Sequence, residues 1–233
     1  MNQSNKDYLE FLINSGVNFF QKNEKNNFYD IAKIDSNTIK ASFNTSFLDI
    51  KSIEELSNYL EYSNEFLLKK NANKTVIFDG NKESDLMIIG EAPGKEEDEK
   101  GLPFVGSAGQ LLNKMLAAID INRRDVYITN VIPWRPPNNR TPTDKEILEC
   151  LPILQKQIEI LEPKFIFLLG LTAAKAILAT TLTLSKLRGK WYKFKTINMI
   201  KDIDVLVSYH PAFLLRSPQF KKEAWIDLKI LKE

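Results

Sequence analysis

His210 is the single histidine of the chain, so any imidazole chemistry has to pass through it. It follows an apolar run and precedes Pro211, a setting open to a structural or a catalytic role. Gly90-Glu91-Ala92-Pro93-Gly94 reads as a tight turn leaving a strand, with glycines that let backbone approach closely and a proline that stiffens it. The acids Glu96, Glu97, Asp98 and Glu99 come next. They suit a solvated loop, a divalent-cation site or a carboxylate set beside a substrate. Leu102 to Gln110 leads into a helix whose first turn is made of small residues, where backbone N–H groups could hold a phosphate. Phe104, in the loop before that helix, is either core or a platform for a flat ligand. The stiff loop Arg135 to Pro142 carries two arginines, fit for a phosphodiester backbone and equally for an ordinary surface connection. Between Lys186 and Lys201 six basic residues occur with no acid, interleaved with Trp191, Tyr192 and Phe194. That pattern suits nucleic acid or the solvated face of a twisted hairpin. Leu214-Leu215-Arg216 sets apolar tips beside a cation just past His210.

These residues need a scaffold, and the apolar periodicity describes one. Four short apolar runs read as strands: Leu86 to Ile89, Val126 to Thr129, Phe165 to Leu169 and Val205 to Tyr209. Thr75 to Phe78 reads as an edge strand. Helical patterns lie between them at Ala108 to Ile119, Thr143 to Leu161 (with Pro152 as a kink) and Thr172 to Ala179, and a last helix covers Phe220 to Leu231. Alternating strand and helix predicts an α/β fold, a three-layer sandwich around a central, mostly parallel four-stranded sheet. Gly90, Asn130, Gly170 and His210 each follow or end one of the strands. In such a sheet the ligand crevice lies outside the carboxyl ends of the strands, so four segments point at one site.

The first part of the chain looks auxiliary. Tyr8, Phe11, Leu12, Phe19 and Phe20 suggest a short amphipathic helix, and 21–49 reads as an irregular, Asn- and Lys-rich segment. Ser52 and Glu55 form a capping signature ahead of Leu56, Tyr59 and Leu60, which predicts another helix. The expected organisation is an N-terminal helical and linking extension over 1–60 and an α/β domain over 65–233, the one to which the family resemblance given below assigns catalysis.

The chain's 233 residues suffice for one domain with a real core. One cysteine excludes an internal disulfide, a four-thiolate zinc site or an all-cysteine iron–sulfur cluster built by this chain alone. No apolar run approaches the roughly 20 residues of a membrane span, and the first residues lack the layout of a signal peptide. The expectation is a soluble, cytoplasmic protein without a membrane partner. A net charge of +2 neither demands nor forbids a nucleic-acid partner.

Taken together, five motifs resemble the bacterial type 4 uracil-DNA glycosylases, a family that also includes domains similar to part of a phage DNA polymerase. They are Gly90 to Gly94 with Glu97-Asp98, Pro103 to Gly106 with Ala108-Gly109-Gln110, Tyr127 to Asn130, Arg135-Pro136-Pro137 with Asn139-Arg140, and His210-Pro211-Ala212 with Leu214-Leu215-Arg216. The resemblance covers about residues 65 to 232. It implies that Phe104 stacks on an extruded uracil, that Asn130 reads the base edge, and that His210 hydrogen-bonds O2 as the base departs. Ala92 lies in the base pocket, and Glu97 packs near C5, disfavouring thymine. Arg135, Arg140 and the backbone at Ser107 contact phosphates, while Leu214 or Leu215, next to Arg216, enters the gap left by the flipped nucleotide. The implied partner is uracil-containing DNA, single- or double-stranded, bound by a monomer.

Two departures from the family pattern follow. Where better-known relatives have an aspartate that positions the attacking water, this chain has Ala92, which fits the type 4 members; Glu91 becomes the candidate activator. The family also implies a four-iron cluster on four cysteines. The third and fourth ligand positions are Trp134 and Cys150 here, and the N-terminal pair is absent around Phe66 to Lys69. A member without cofactor or metal is expected, with Trp134 filling the space. Two other readings remain open: a metal-dependent nuclease or phosphohydrolase using Glu91, Glu96, Glu97 and Asp98, and a non-catalytic DNA-binding accessory domain.

Overall fold

A computed structural model describes residues 45–196 and 198–233. The helix expected around Tyr8 to Phe20 and nearly all of the stretch at 21–49 lie outside the described residues. The helix announced by Ser52 is α1, Ile53–Tyr62, and the Ser52 hydroxyl accepts the Glu55 N–H at 3.1 Å. Its apolar spacing puts Leu56 and Leu60 on one face, both fully buried.

Among the described residues six strands form one sheet: β1 (Asp79–Gly80), β2 (Leu86–Gly90), β3 (Tyr127–Asn130), β4 (Phe165–Leu169), β5 (Trp191–Phe194) and β6 (Ile203–Ser208), in the order β1-β3-β2-β4-β6-β5. The four expected strands are the parallel centre, β3-β2-β4-β6, and two short antiparallel strands close its edges. The edge at β1 is shorter and later than expected. Val76 donates its N–H to the carbonyl of Pro133, beyond the end of β3, so residues 75–78 leave the sheet ladder. The basic, aromatic stretch supplies β5, in a hairpin-like pairing with β6.

Alternate strand residues enter two separate apolar clusters. Met87, Ile89, Ile166, Leu168, Val205 and Val207 face one way, with α1 and α4 (Asp144–Leu161) over them. Ile88, Ile128, Phe167, Leu169 and Leu206 face the other, beneath α3 (Ser107–Ala117) and α7 (Lys221–Lys232). Both faces are therefore covered, which makes the three layers. Because Leu56 and Leu60 join the first cluster, apolar packing runs straight across residues 60–65. Pro152 sits inside α4 without ending it. The acidic run, read as a loop from sequence, is the helix α2, Lys95–Lys100, with Glu96, Glu97 and Asp98 in its first turn, where carboxylates favour the helix dipole. α5 (Leu171–Leu178) and α6 (Pro211–Arg216) start at the carboxyl ends of β4 and β6. Among the described residues no helix is long and apolar enough to cross a membrane.

The chain runs from β2 out to β3 and then back past β2 to β4, so the direction of winding reverses beside β2. That reversal opens a crevice at the carboxyl ends of the central strands.

Candidate active site

A cavity of about 650 Å³ occupies this crevice. Glu91, Ala92, Glu97, Phe104, Ser107, Asn130, Arg140, His210 and Arg216 all line it, so nine of the eleven sequence-derived site residues are brought together. Arg135 and Leu214 are not.

Phe104 and Asn130 share the floor. Phe104 is 5 % exposed and Asn130 4 %, and both press on the backbone of Gly90 at the end of β2. A Cβ at Gly90 would lie 2.4 Å from Phe104 Cζ and 2.5 Å from Asn130 Oδ1, so only glycine admits this arrangement. Among the described residues nothing hydrogen-bonds the Asn130 side-chain amide, which leaves its donor and acceptor for a ligand inside the cavity. Phe104 holds φ at +52°, a left-handed conformation that costs a bulky residue about 1–2 kcal/mol. The loop around it is correspondingly braced, as described below.

His210 caps α6. Its Nδ1 accepts the Ala212 N–H at 3.1 Å, which fixes the neutral tautomer with the proton on Nε2. Burial lowers its pKa to about 4, helped by the nearby Arg216 charge and opposed by Glu97. At neutral pH the ring is therefore an uncharged N–H donor. Its centroid is 5.6 Å from that of Phe104. The strand end that carries it is held from behind. Ser208 donates to Asp227, which Arg188 also grips, and the Tyr209 ring packs on Phe213 and Phe220, each with centroids 5.3 Å away.

The carboxylates differ in their engagement. Glu97 accepts three backbone N–H groups, from Gly94 at 3.1 Å, Val105 at 2.9 Å and Gly106 at 2.8 Å. It thus ties the turn after β2 to the Phe104 loop, a role its place in an acidic run did not reveal. Asp98 is buried under Asn73 and Lys74, from which it accepts both backbone N–H groups. Glu91 accepts the Thr172 hydroxyl at 2.5 Å through Oε2. Thr172, on α5, is a pocket residue that sequence reasoning missed; its only signal is the position just after Gly170 at a strand end. Among the described residues no group of three or more His, Cys, Asp or Glu side chains could hold a metal ion. The acids therefore do not assemble the ligand set that a metal-dependent nuclease needs.

The two residues outside the lining are placed as follows. Leu214 is 1 % exposed and packs in the cluster beneath α3, because α6 turns it inward; the exposed apolar tip is Leu215, at 42 %. Arg135 is not itself in the cavity lining; it donates to Asn139, which is, at 2.6 Å and lies 4.0 Å from the buried Asp98. It braces the loop while its side chain stays partly exposed. Arg140 does reach the rim, in a two-pronged pair with Glu146 that holds the Glu146 carboxyl down to about 2.

The family implication of an iron–sulfur cluster meets a packed apolar region. Trp134 is fully buried, its ring 4.7 Å from Phe66, and it donates to the Thr75 hydroxyl. Cys150 is buried in the same apolar cluster, and burial pushes its thiol far above the usual range. One thiol, with a tryptophan at another of the implied ligand positions, does not supply the four thiolates of that cluster.

An α/β sheet with a flat aromatic floor, an unengaged amide and a neutral imidazole donor at the carboxyl ends of its strands defines a pocket for a planar heterocycle. Residues 77–229 match the model of the uracil DNA glycosylase superfamily. A type-4 uracil-DNA glycosylase of Pyrobaculum aerophilum is 40% identical over 185 residues, 78% of this chain and 92% of that protein. A type-4 uracil-DNA glycosylase of Archaeoglobus fulgidus is 44% identical over 158 residues, 66% of this chain and 78% of that protein. A DNA polymerase of Bacillus phage SP01 is 31% identical over 153 residues, which make up only 16% of that protein. The chain belongs to the uracil DNA glycosylase superfamily, and within it to the type-4 group.

Proposed function

We propose that this chain excises uracil from DNA, hydrolysing the N-glycosidic bond of a nucleotide flipped into the cavity and leaving an abasic site in an unbroken strand. The observation that carries the reading is the His210 geometry. With Nδ1 engaged by the Ala212 N–H, the Nε2–H is the group free to meet O2 of the base, where negative charge collects as the bond breaks. One such preorganised donor is worth roughly 3 to 4 kcal/mol in a comparable setting. Stabilising the anion needs no full proton transfer, so a neutral ring suffices.

Phe104 supplies the stacking face, and Asn130 can donate to O4 while accepting from N3–H, a pairing that uracil satisfies and cytosine does not. Thr172 orients Glu91, whose second oxygen is left to hold the attacking water. Arg216 and the Ser107 turn face phosphates, Arg140 adds a rim cation, and Leu215 takes the place of the extruded nucleotide. The protein works as a monomer, on single- or double-stranded DNA, and without an iron–sulfur cluster or other metal.

The test is a uracil-containing oligonucleotide incubated with the purified protein in EDTA, then cleaved with alkali. Free uracil and alkali-dependent scission are expected. An untouched substrate, or strand nicking that appears only with added Mg²⁺, would refute the reading.

A further inference from the structure

The base-stacking platform is held in its strained conformation by a clamp that reaches it from outside the pocket. Arg123 lies behind the Phe104 loop, in the turn before β3, and every arm of its guanidinium is used. Nη1 donates to the Phe104 carbonyl at 2.9 Å and to Asn113 Oδ1 at 3.0 Å, and Nη2 donates to the Pro103 carbonyl at 2.6 Å. Nε donates to Asp79 Oδ2 at 2.8 Å, and Nη2 stands 2.7 Å from the same oxygen. Asp79 in turn belongs to β1, whose two residues pair antiparallel with Ile128 and Tyr127. The short edge strand thereby seats the carboxylate beside the guanidinium.

The two carbonyls that Arg123 grips belong to the peptides on either side of the Phe104 Cα, so the guanidinium holds both planes whose relative setting gives Phe104 its φ of +52°. Gly109 allows α3 to approach from the other side, since a Cβ there would come within 1.8 Å of the Phe104 carbonyl oxygen. Released from the guanidinium, Phe104 can relax to an ordinary backbone conformation, which would swing the ring off Gly90 and Asn130. A lysine, with one donor point instead of a planar fork, cannot hold two carbonyls, an amide and a carboxylate together.

We infer that Arg123, seated by Asp79, is a positioning residue for base recognition: it holds Phe104 in the left-handed conformation that makes its ring a preformed platform for the flipped base. The inference rests on the uracil-excision reading for its kinetic consequence but not for the clamp itself.

Single-turnover excision measured in wild type, Arg123→Met, Phe104→Ala and the double variant, together with amide hydrogen exchange of residues 102–109, tests it. Arg123→Met is expected to slow excision by about ten- to a hundredfold, the range for misplacing a positioning group. It should also speed exchange in that segment. With Phe104 already alanine, the same change should cost less than about threefold, since groups acting through one side chain are not additive. Asp79→Asn should repeat the pattern more weakly, and it serves if Arg123→Met fails to fold. Equal factors in both backgrounds, or unchanged exchange in the segment, would overturn the inference. An inactive wild type would instead defeat the excision reading, while the exchange measurement would still decide the clamp.

Discussion

Protonating His210 would have to remove its Nδ1 acceptor from the Ala212 N–H and place a cation in a largely dehydrated site near Arg216. The ring's pKa of about 4 in the folded chain lies below the unfolded value of about 6.5, so the unfolded chain binds more protons between these limits. Stability from this group is thus full above pH 6.5 and falls by roughly 3 kcal/mol as pH drops through 4. Thermal melts from pH 4 to 7 should show that loss, and His210→Gln should flatten it; identical slopes would place the acid sensitivity elsewhere. On catalysis, His210→Ala should slow the chemical step by roughly 10²-fold or more while DNA binding survives, read by single-turnover excision beside an abasic-site binding assay. The histidine was legible in the sequence because it was alone and stood at a strand end. Its tautomer was not, since that depends on a backbone N–H two residues on.

At the scale of elements, the four central strands and the helices between them were readable because a parallel sheet buried on both faces demands uninterrupted apolar runs. The edge strand at Asp79–Gly80 was not, because its two residues carry no periodicity and its pairing is set by β3. Leu214 and Leu215 were indistinguishable by type; only the turn of α6 buries one and exposes the other. Glu97 shows the same limit, for its three backbone partners lie on both sides of it, up to nine residues away along the chain. Those partners make Glu97 a tie between α2 and the Phe104 loop. Glu97→Gln should therefore destabilise the protein by about 1–3 kcal/mol in denaturant melts and depress excision generally, without a selective gain on thymine. A thymine gain at unchanged stability would instead make Glu97 a base discriminator, the role that the family resemblance implies. Gly90→Ala tests the join of β2 to the floor. A methyl 2.4 Å from the Phe104 ring and 2.5 Å from Asn130 must displace both, so excision should fall by about 10²-fold or more with a smaller effect on melting.

At the scale of the molecule, the net charge of +2 conceals an uneven surface. The cavity rim carries Lys95, Arg140 and Arg216 above a lining that includes Glu91, Glu96 and Glu97. Arg140 is already paired with Glu146, whereas among the described residues Arg216 makes no ion pair. Arg216→Ala should accordingly lower the slope of log K against log salt for DNA binding by about one, and Arg140→Ala by less. If, as proposed, no metal cluster staples this chain, the opposite side of the sheet must be held by packing alone. Phe66, Trp134 and Cys150 belong to one apolar cluster with Leu56 and Leu60 of α1, so the region before the sheet is fastened by aromatic packing. Trp134→Ala should then cost about 3–5 kcal/mol, the range for deleting a fully buried aromatic, and Cys150→Ala only about 1 kcal/mol. Iron assays on the purified protein should find none in stoichiometric amount, and chelators should leave its melting temperature unchanged. A Cys150 substitution as damaging as that of Trp134, with iron lost in parallel, would mean that a thiolate–metal bond rather than packing holds this region together.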